Sequence, residues 1–116
     1  MPGFSAHHHE LLLEAVARFG TPTYVYFEDI LLNRVEKLRS HLQSLPLELL
    51  YAMKANHAAP ILQTMQKEGL GIDAVSPAEL IVALESGFPK DRILFSANNM
   101  TDEEMHFAHS NGVILN

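Results

Sequence analysis

Apolar residues recur every three to four positions in two stretches of the first half of the chain, Glu10 to Phe19 and Glu28 to Leu42. This spacing places the apolar side chains on one face of a helix and the charged ones on the other. Gly20 and Pro22 follow the first stretch and are typical of the end of a helix. The pattern therefore predicts two amphipathic helices. Between them, Thr23 to Phe27 is rich in β-branched and aromatic residues, which predicts a short strand.

After Pro46 the pattern changes to short apolar runs that alternate with helical spacing about every twenty residues. Such alternation is typical of successive βαβ units around a parallel sheet. Ser76 to Glu79 and Thr101 to Glu104 read as capping boxes at the starts of two helices. The predicted strands are Leu49–Lys54, Ile72–Val75, Arg92–Phe95 and Val113–Leu115, and the predicted helices are Ala58–Glu68, Pro77–Ser86 and Asp102–His109.

Polar side chains follow the predicted strands, whose interiors are apolar. In parallel α/β folds ligands bind at the carboxyl ends of the strands, so these polar residues are expected to share one edge. Polar residues also end strands and cap helices without binding anything, and that alternative stays open at this point. The residues concerned are Lys54, Asn56, Asp73, Ser76, Ser96, Asn98, Asn99 and Asn116.

The composition narrows the classes of partner. The formal charge is −6 and no basic run is present, which argues against nucleic acid or an anionic membrane and favours a small metabolite. There is no cysteine, hence no thiolate metal site or cysteine nucleophile. No apolar run is long enough to span a bilayer and no secretory signal is evident, so we expect a soluble cytoplasmic chain.

The run His7 to His9 could bind a metal, be the remnant of a tag, or form the exposed start of a helix. Adjacent residues on a helix point in different directions and cannot converge on one ion. We therefore favour the last two interpretations and predict no metal site.

Lys54 is the residue with the most suggestive chemistry, because it ends a nearly continuous apolar run. Lysine is rarely buried without a partner or a task, and desolvation at a strand end favours the neutral form of its amine. The simpler interpretation is a packed stem with its ammonium in water. The other lysines, at positions 37, 67 and 90, lie on polar helix faces or in a turn and read as surface charges.

Four segments of the chain resemble motifs of the barrel-type amino-acid decarboxylases that use pyridoxal phosphate. Their order and spacing are most similar to those of the diaminopimelate decarboxylases, which catalyse the last step of bacterial lysine synthesis. The segments are Gly20 to Tyr26, Tyr51 to Asn56, Gly69 to Leu80 and Phe95 to Met100.

The resemblance implies an α/β fold, the amino-terminal part of a (β/α)8 TIM barrel of the alanine-racemase type in residues 47–116. Residues 1–46 would form the helix, short strand and helix that lead into it. A complete barrel needs about 200 residues or more, so we expect an incomplete barrel that is inactive by itself. The resemblance further implies decarboxylation of meso-diaminopimelate to L-lysine by a homodimer.

For the site, the resemblance implies that Lys54 attaches pyridoxal phosphate and later assists proton handling. Asp73 and Glu79 match acidic positions that line the cofactor pocket, although the capping box alone explains Glu79. Asp73 lies within a short strand, where a carboxylate needs a partner, and we expect Lys54 to be that partner. Strand alternation predicts that Ala52 shares the side of Lys54 and leaves room for a flat ring.

Three alternatives remain open from sequence. Decarboxylases of ornithine, arginine or carboxynorspermidine share the fold, and alanine racemase is a more distant relation. A non-catalytic homologue that binds pyridoxal phosphate would keep the lysine. A structural or interaction module would carry a Lys54 that never meets the cofactor.

Overall fold

The structure is a computed structural model that describes residues 4–116. The predicted domain that starts at residue 1 therefore begins with three residues that lie outside the described part. The chain divides into two compact units, one ending at His41 and the other spanning Leu42–Asn116. The helices are α1 (Ala6–Phe19), α2 (Glu28–Leu42), α3 (Ala59–Lys67), α4 (Pro77–Glu85) and α5 (Asp102–Asn111). The strands are β1 (Leu50–Ala52), β2 (Gly71–Ala74), β3 (Ile93–Phe95) and β4 (Ile114–Leu115), and short 3-10 turns occupy Met53–Ala55 and Lys90–Arg92.

The histidine run forms the first turn of α1, which confirms that it starts a helix. The helix begins four residues before the predicted Glu10, because Ser5 caps it and exchanges hydrogen bonds with His8. The His8 ring is buried, and its Nε2 lies 2.9 Å from Oδ2 of Asp29 in the first turn of α2. His8 therefore ties the starts of the two helices together, while His7 and His9 are exposed. Among residues 4–116 no group of three metal-ligating side chains is found.

The strand predicted for Thr23 to Phe27 is wrong, because within residues 4–116 this segment has no strand partner. β-Branched and aromatic residues favour strands mainly through packing on a paired, half-buried surface. Here the side chain of Tyr24 is 90% exposed. The following helix has the predicted bounds, and its acidic first turn and basic last turn complement the helix dipole.

The second unit contains a four-stranded parallel sheet in the order β1-β2-β3-β4. A helix connects each strand to the next, so the predicted succession of βαβ units is confirmed. Two capping signals are also confirmed, since Ser76 Oγ accepts the Glu79 N–H and Thr101 forms a capping box with Glu104. No helix within residues 4–116 combines the length and apolar character needed to cross a bilayer.

The two faces of this sheet differ in burial. Side chains from β2 and β3 that point to one face are fully buried, and α4 packs against both strands. These core residues are Ile72, Ala74, Ile93 and Phe95. The opposite face, which we call the open face, carries Ala52, Asp73 and Leu94 in register, all partly exposed.

Gly71 at the start of β2 has no room for a side chain. A methyl group there would overlap Cδ2 of Leu50 and lie 2.6 Å from the carbonyl oxygen of Arg92. We expect Gly71→Ala to lower the free energy of unfolding by about 1–3 kcal/mol, as overpacking does. Urea denaturation measures this, and adding Leu50→Ala should restore only part of the loss because the Arg92 carbonyl remains. Unchanged stability of Gly71→Ala would contradict this packing.

Candidate functional site

The carboxyl ends of the four strands form one edge of the sheet, which we call the carboxyl edge. Lys54 lies in the 3-10 turn that follows β1, and Ser76 caps the helix that follows β2. Backbone hydrogen bonds continue the ladders past the strand ends, from Ser96 N to Ala74 O (3.0 Å) and from Asn116 N to Phe95 O (3.1 Å). Four of the predicted polar residues thus follow strand ends at one edge, whereas Asp73 lies within β2.

Lys54 differs in detail from its predicted place at the end of a strand. The strand β1 ends at Ala52, and the fully buried side chain of Met53 starts the turn. The alternation argument that paired Ala52 with Lys54 is therefore wrong, because alternation stops where the strand stops. Lys54 is exposed, so the expected desolvation at this position is not observed. Its ammonium makes no hydrogen bond or ion pair within residues 4–116, Asp73 included.

Lys54 is nevertheless distinguished from the other lysines of the second unit by its place in the fold. Lys67 ends α3 and Lys90 precedes β3, so both lie near the amino ends of strands, opposite the carboxyl edge. Lys54 alone among the lysines of Leu42–Asn116 follows a strand. Within the described part of the chain its amine has no partner and is accessible, as attachment of an aldehyde requires.

Asp73 lies on the open face in the middle of the sheet, between Ala52 of β1 and Leu94 of β3. Its carboxylate is half-buried, and Oδ1 accepts a hydrogen bond from the hydroxyl of Ser96. The partner that a strand carboxylate requires is thus a neutral hydroxyl and not the predicted Lys54. The sequence identified Ser96 only as one of the polar residues that follow the strands, and not as the partner of Asp73.

Glu79 supports the connection between β2 and α4. Its Oε2 accepts the N–H of Val75 at 2.8 Å, and its own N–H donates to Ser76 Oγ at 3.2 Å. The carboxylate thus reaches back one residue further than an ideal capping box does. Glu79 holds the loop that leaves the strand bearing Asp73, and its contact with a cofactor stays a prediction.

The side chains around Lys54 hold its turn in place. The Tyr51 hydroxyl donates to the carbonyl oxygen of Asn56 at 2.9 Å, bridging the turn from the covered side of the sheet. Oδ1 of Asn56 accepts the N–H of Ala58 at 2.9 Å, directly before α3. Asn56 thus orders the turn before α3 without capping the helix, whose N-cap is Ala58.

Comparison with known proteins assigns the fold and the edge just described to a family. Residues 29–115 match the family described as pyridoxal-dependent decarboxylase, pyridoxal binding domain. The chain belongs to this family. The family indicated by the four sequence motifs is confirmed, and with it the α/β barrel fold class and a cofactor, pyridoxal phosphate, as the ligand of this domain.

Two of the similar proteins carry the name expected from the motifs, and a third is a related decarboxylase. A diaminopimelate decarboxylase of Methanothermobacter thermautotrophicus is 38% identical over 106 residues, which cover 90% of this chain and 25% of that protein. A solved diaminopimelate decarboxylase of M. jannaschii in complex with L-lysine is 33% identical with a TM-score of 0.74, covering 90% of this chain and 26% of that one. A lysine/ornithine decarboxylase of Vibrio vulnificus (23%, TM-score 0.83, 96% and 30% covered) shows the shared fold alone. The chain spans about a quarter of the length of these relatives.

The residues at the carboxyl edge fit a pyridoxal group chemically. Attachment of its aldehyde needs an accessible primary amine, and Lys54 provides one that no residue in the described range 4–116 engages. Its flat ring needs space, and Ala52 presents only a methyl group on the open face beside Asp73. The carboxylate of Asp73 and the hydroxyl of Ser96 supply polar groups on the same face.

Proposed function

We propose that this chain carries the lysine-bearing strands of a pyridoxal-phosphate-dependent decarboxylase that converts meso-diaminopimelate to L-lysine. The observation that carries the proposal is the position of Lys54, an accessible amine with no partner among residues 4–116, at the carboxyl edge of a pyridoxal-binding fold. A chain of this family without such an amine would be expected to bind pyridoxal phosphate at most.

The roles of the residues follow from their chemistry. Lys54 would hold the cofactor through Nζ, with Ala52, Asp73 and Glu79 as the proposed lining of its pocket. When bound, pyridoxal phosphate supplies an electron sink that stabilises the carbanion left by departing carbon dioxide. The Nζ atom of Lys54 would also deliver the proton that replaces the carboxylate. The carboxylate of Asp73 on the open face would orient a positive group of the bound cofactor or substrate.

Substrate, assembly and location belong to the same proposal. The names of the relatives support meso-diaminopimelate as the substrate. The resemblance to the decarboxylases supports a homodimer in which each subunit contributes to the other's site, and a cytoplasmic place in lysine biosynthesis.

A second candidate is decarboxylation of ornithine, arginine or carboxynorspermidine. It stays open because the matching family is described as pyridoxal-dependent decarboxylases without a stated substrate. A homologue that binds the cofactor without catalysis is the third. The three are separated by whether carbon dioxide is released and from which amino acid.

The assay uses the full-length product of the gene that encodes this chain, saturated with pyridoxal phosphate, and measures carbon dioxide release from each amino acid. We expect kcat/KM for meso-diaminopimelate to exceed that for ornithine by about a hundredfold or more, because ornithine lacks the second carboxylate that a dedicated site binds. The 116-residue chain by itself is expected to release none. Faster turnover of ornithine would favour the second candidate, and binding without any release would favour the third.

A further inference from the structure

Asp73 is oriented by a single side-chain contact. The hydroxyl of Ser96 donates to its Oδ1, and Oδ2 has no hydrogen bond or ion pair within the described residues 4–116. A carboxylate accepts and never donates, so the hydroxyl must be the donor in this contact. One oxygen of the carboxylate is thereby held, and the other is left for a group outside these residues.

The backbone sets the position of Ser96 accurately. Leu94 is in register with Asp73, and Ser96 lies two residues further along, so both point to the open face. The N–H of Ser96 donates to the carbonyl oxygen of Ala74 at 3.0 Å, which extends the β2–β3 ladder by one step. The hydroxyl therefore sits on a rigid strand end and not on a mobile loop.

The same contact matters for the chemistry of the edge. Asp73 is in register with Ala52, at the end of the strand that leads into the turn of Lys54. A carboxylate free to rotate would offer either oxygen in many directions, and ordering it during binding would cost affinity. A carboxylate held through one oxygen offers the other in a preset direction.

We propose that Ser96 is a positioning residue that holds the carboxylate of Asp73 in the orientation required for uptake of pyridoxal phosphate at Lys54. The inference rests on the proposed function and deepens it. Ser96 acts through Asp73, so removing its hydroxyl should matter only while the carboxylate is present. Threonine, which keeps a hydroxyl at the same position, should preserve the effect.

The test follows uptake of pyridoxal phosphate by the full-length gene product without measuring turnover. Samples at increasing cofactor concentration are reduced with borohydride, and peptide mass spectrometry gives the labelled fraction of Lys54. Ser96→Ala should raise the concentration for half-labelling about tenfold, the loss typical of a hydrogen bond to a charged group. Ser96→Thr should restore most of it. Ser110→Ala, which removes a hydroxyl that donates to Phe107 O in α5, is the matched control and should change nothing.

The Asp73→Asn background separates positioning from a general structural role. We expect Ser96→Ala to have less than about a twofold effect there, because the group on which it acts is gone. The proposal is overturned if Ser96→Ala labels like the unaltered protein, or if it weakens labelling equally in both backgrounds. Failure of the unaltered protein to label at Lys54 would overturn the proposed function as well, so the two failures are distinguishable.

Discussion

Replacement of Lys54 by alanine is expected to reduce decarboxylation by the full-length gene product to background and to remove the visible absorbance of the bound cofactor. Among the lysines of Leu42–Asn116, Lys54 alone follows the carboxyl end of a strand, so no second amine in this unit can take its place. Covalent attachment needs an amine, and alanine offers none. Absorbance spectra and carbon dioxide release, measured on the same preparation, check both effects.

Two variants make the Lys54 prediction specific. Lys67→Ala removes an exposed lysine at the end of α3 and should leave absorbance and turnover unchanged. Lys54→Arg keeps the positive charge, but a guanidinium stays protonated and cannot condense with an aldehyde, so it should behave like the alanine variant. Turnover retained in either Lys54 variant would assign the attachment to another residue.

Replacement of Phe95 by alanine is expected to cost about 3–5 kcal/mol in the free energy of unfolding, the range for truncating a buried aromatic side chain. The Phe95 side chain is 0% exposed and lies in register with Ala74 and Leu115, on the face covered by α4. Its removal leaves a cavity where three strands meet. Urea denaturation followed by circular dichroism measures the change.

Phe19→Ala is the matched control, because Phe19 is 68% exposed at the end of α1. Its loss should change the free energy of unfolding by less than about 1 kcal/mol. An equal loss of unfolding free energy in the two variants would contradict the burial of Phe95 under α4.

Periodicity and capping signals were sufficient to predict the order of helices and strands beyond Pro46. The helix Glu28–Leu42 has its predicted bounds. Its acidic first turn and basic last turn are favourable at the two ends of a helix and are visible in the sequence. Helices α4 and α5 begin directly after Ser76 and Thr101, whose hydroxyls cap them as the sequence predicts. These features depend on neighbours along the chain, so they are readable from the sequence.

Strand pairing and strand ends were harder to predict because they depend on distant residues. The segment Thr23 to Phe27 has the composition of a strand, but composition does not supply a partner. Met53 is apolar and buried, so a continuous apolar run conceals the point where β1 becomes a 3-10 turn. That turn carries Lys54 beyond the strand and leaves it exposed.

The residues of the site were predicted where local sequence marks them, and missed where they depend on contacts between distant residues. The motif around Lys54 and its place at a strand end marked the amine, and the odd carboxylate within a strand marked Asp73. Its partner Ser96 lies 23 residues away and becomes evident only when β2 and β3 are placed in register. Likewise, nothing in the run of three histidines distinguishes His8, which contacts Asp29, from its neighbours.

The central claim is that Lys54 is the residue to which pyridoxal phosphate attaches. Borohydride reduction of the cofactor-loaded full-length gene product, followed by peptide mapping, tests it most directly. We expect one pyridoxyl group per chain, on the peptide that contains Lys54. A label on Lys37, Lys67 or Lys90 in its place, or an equal spread over all four lysines, would contradict the account.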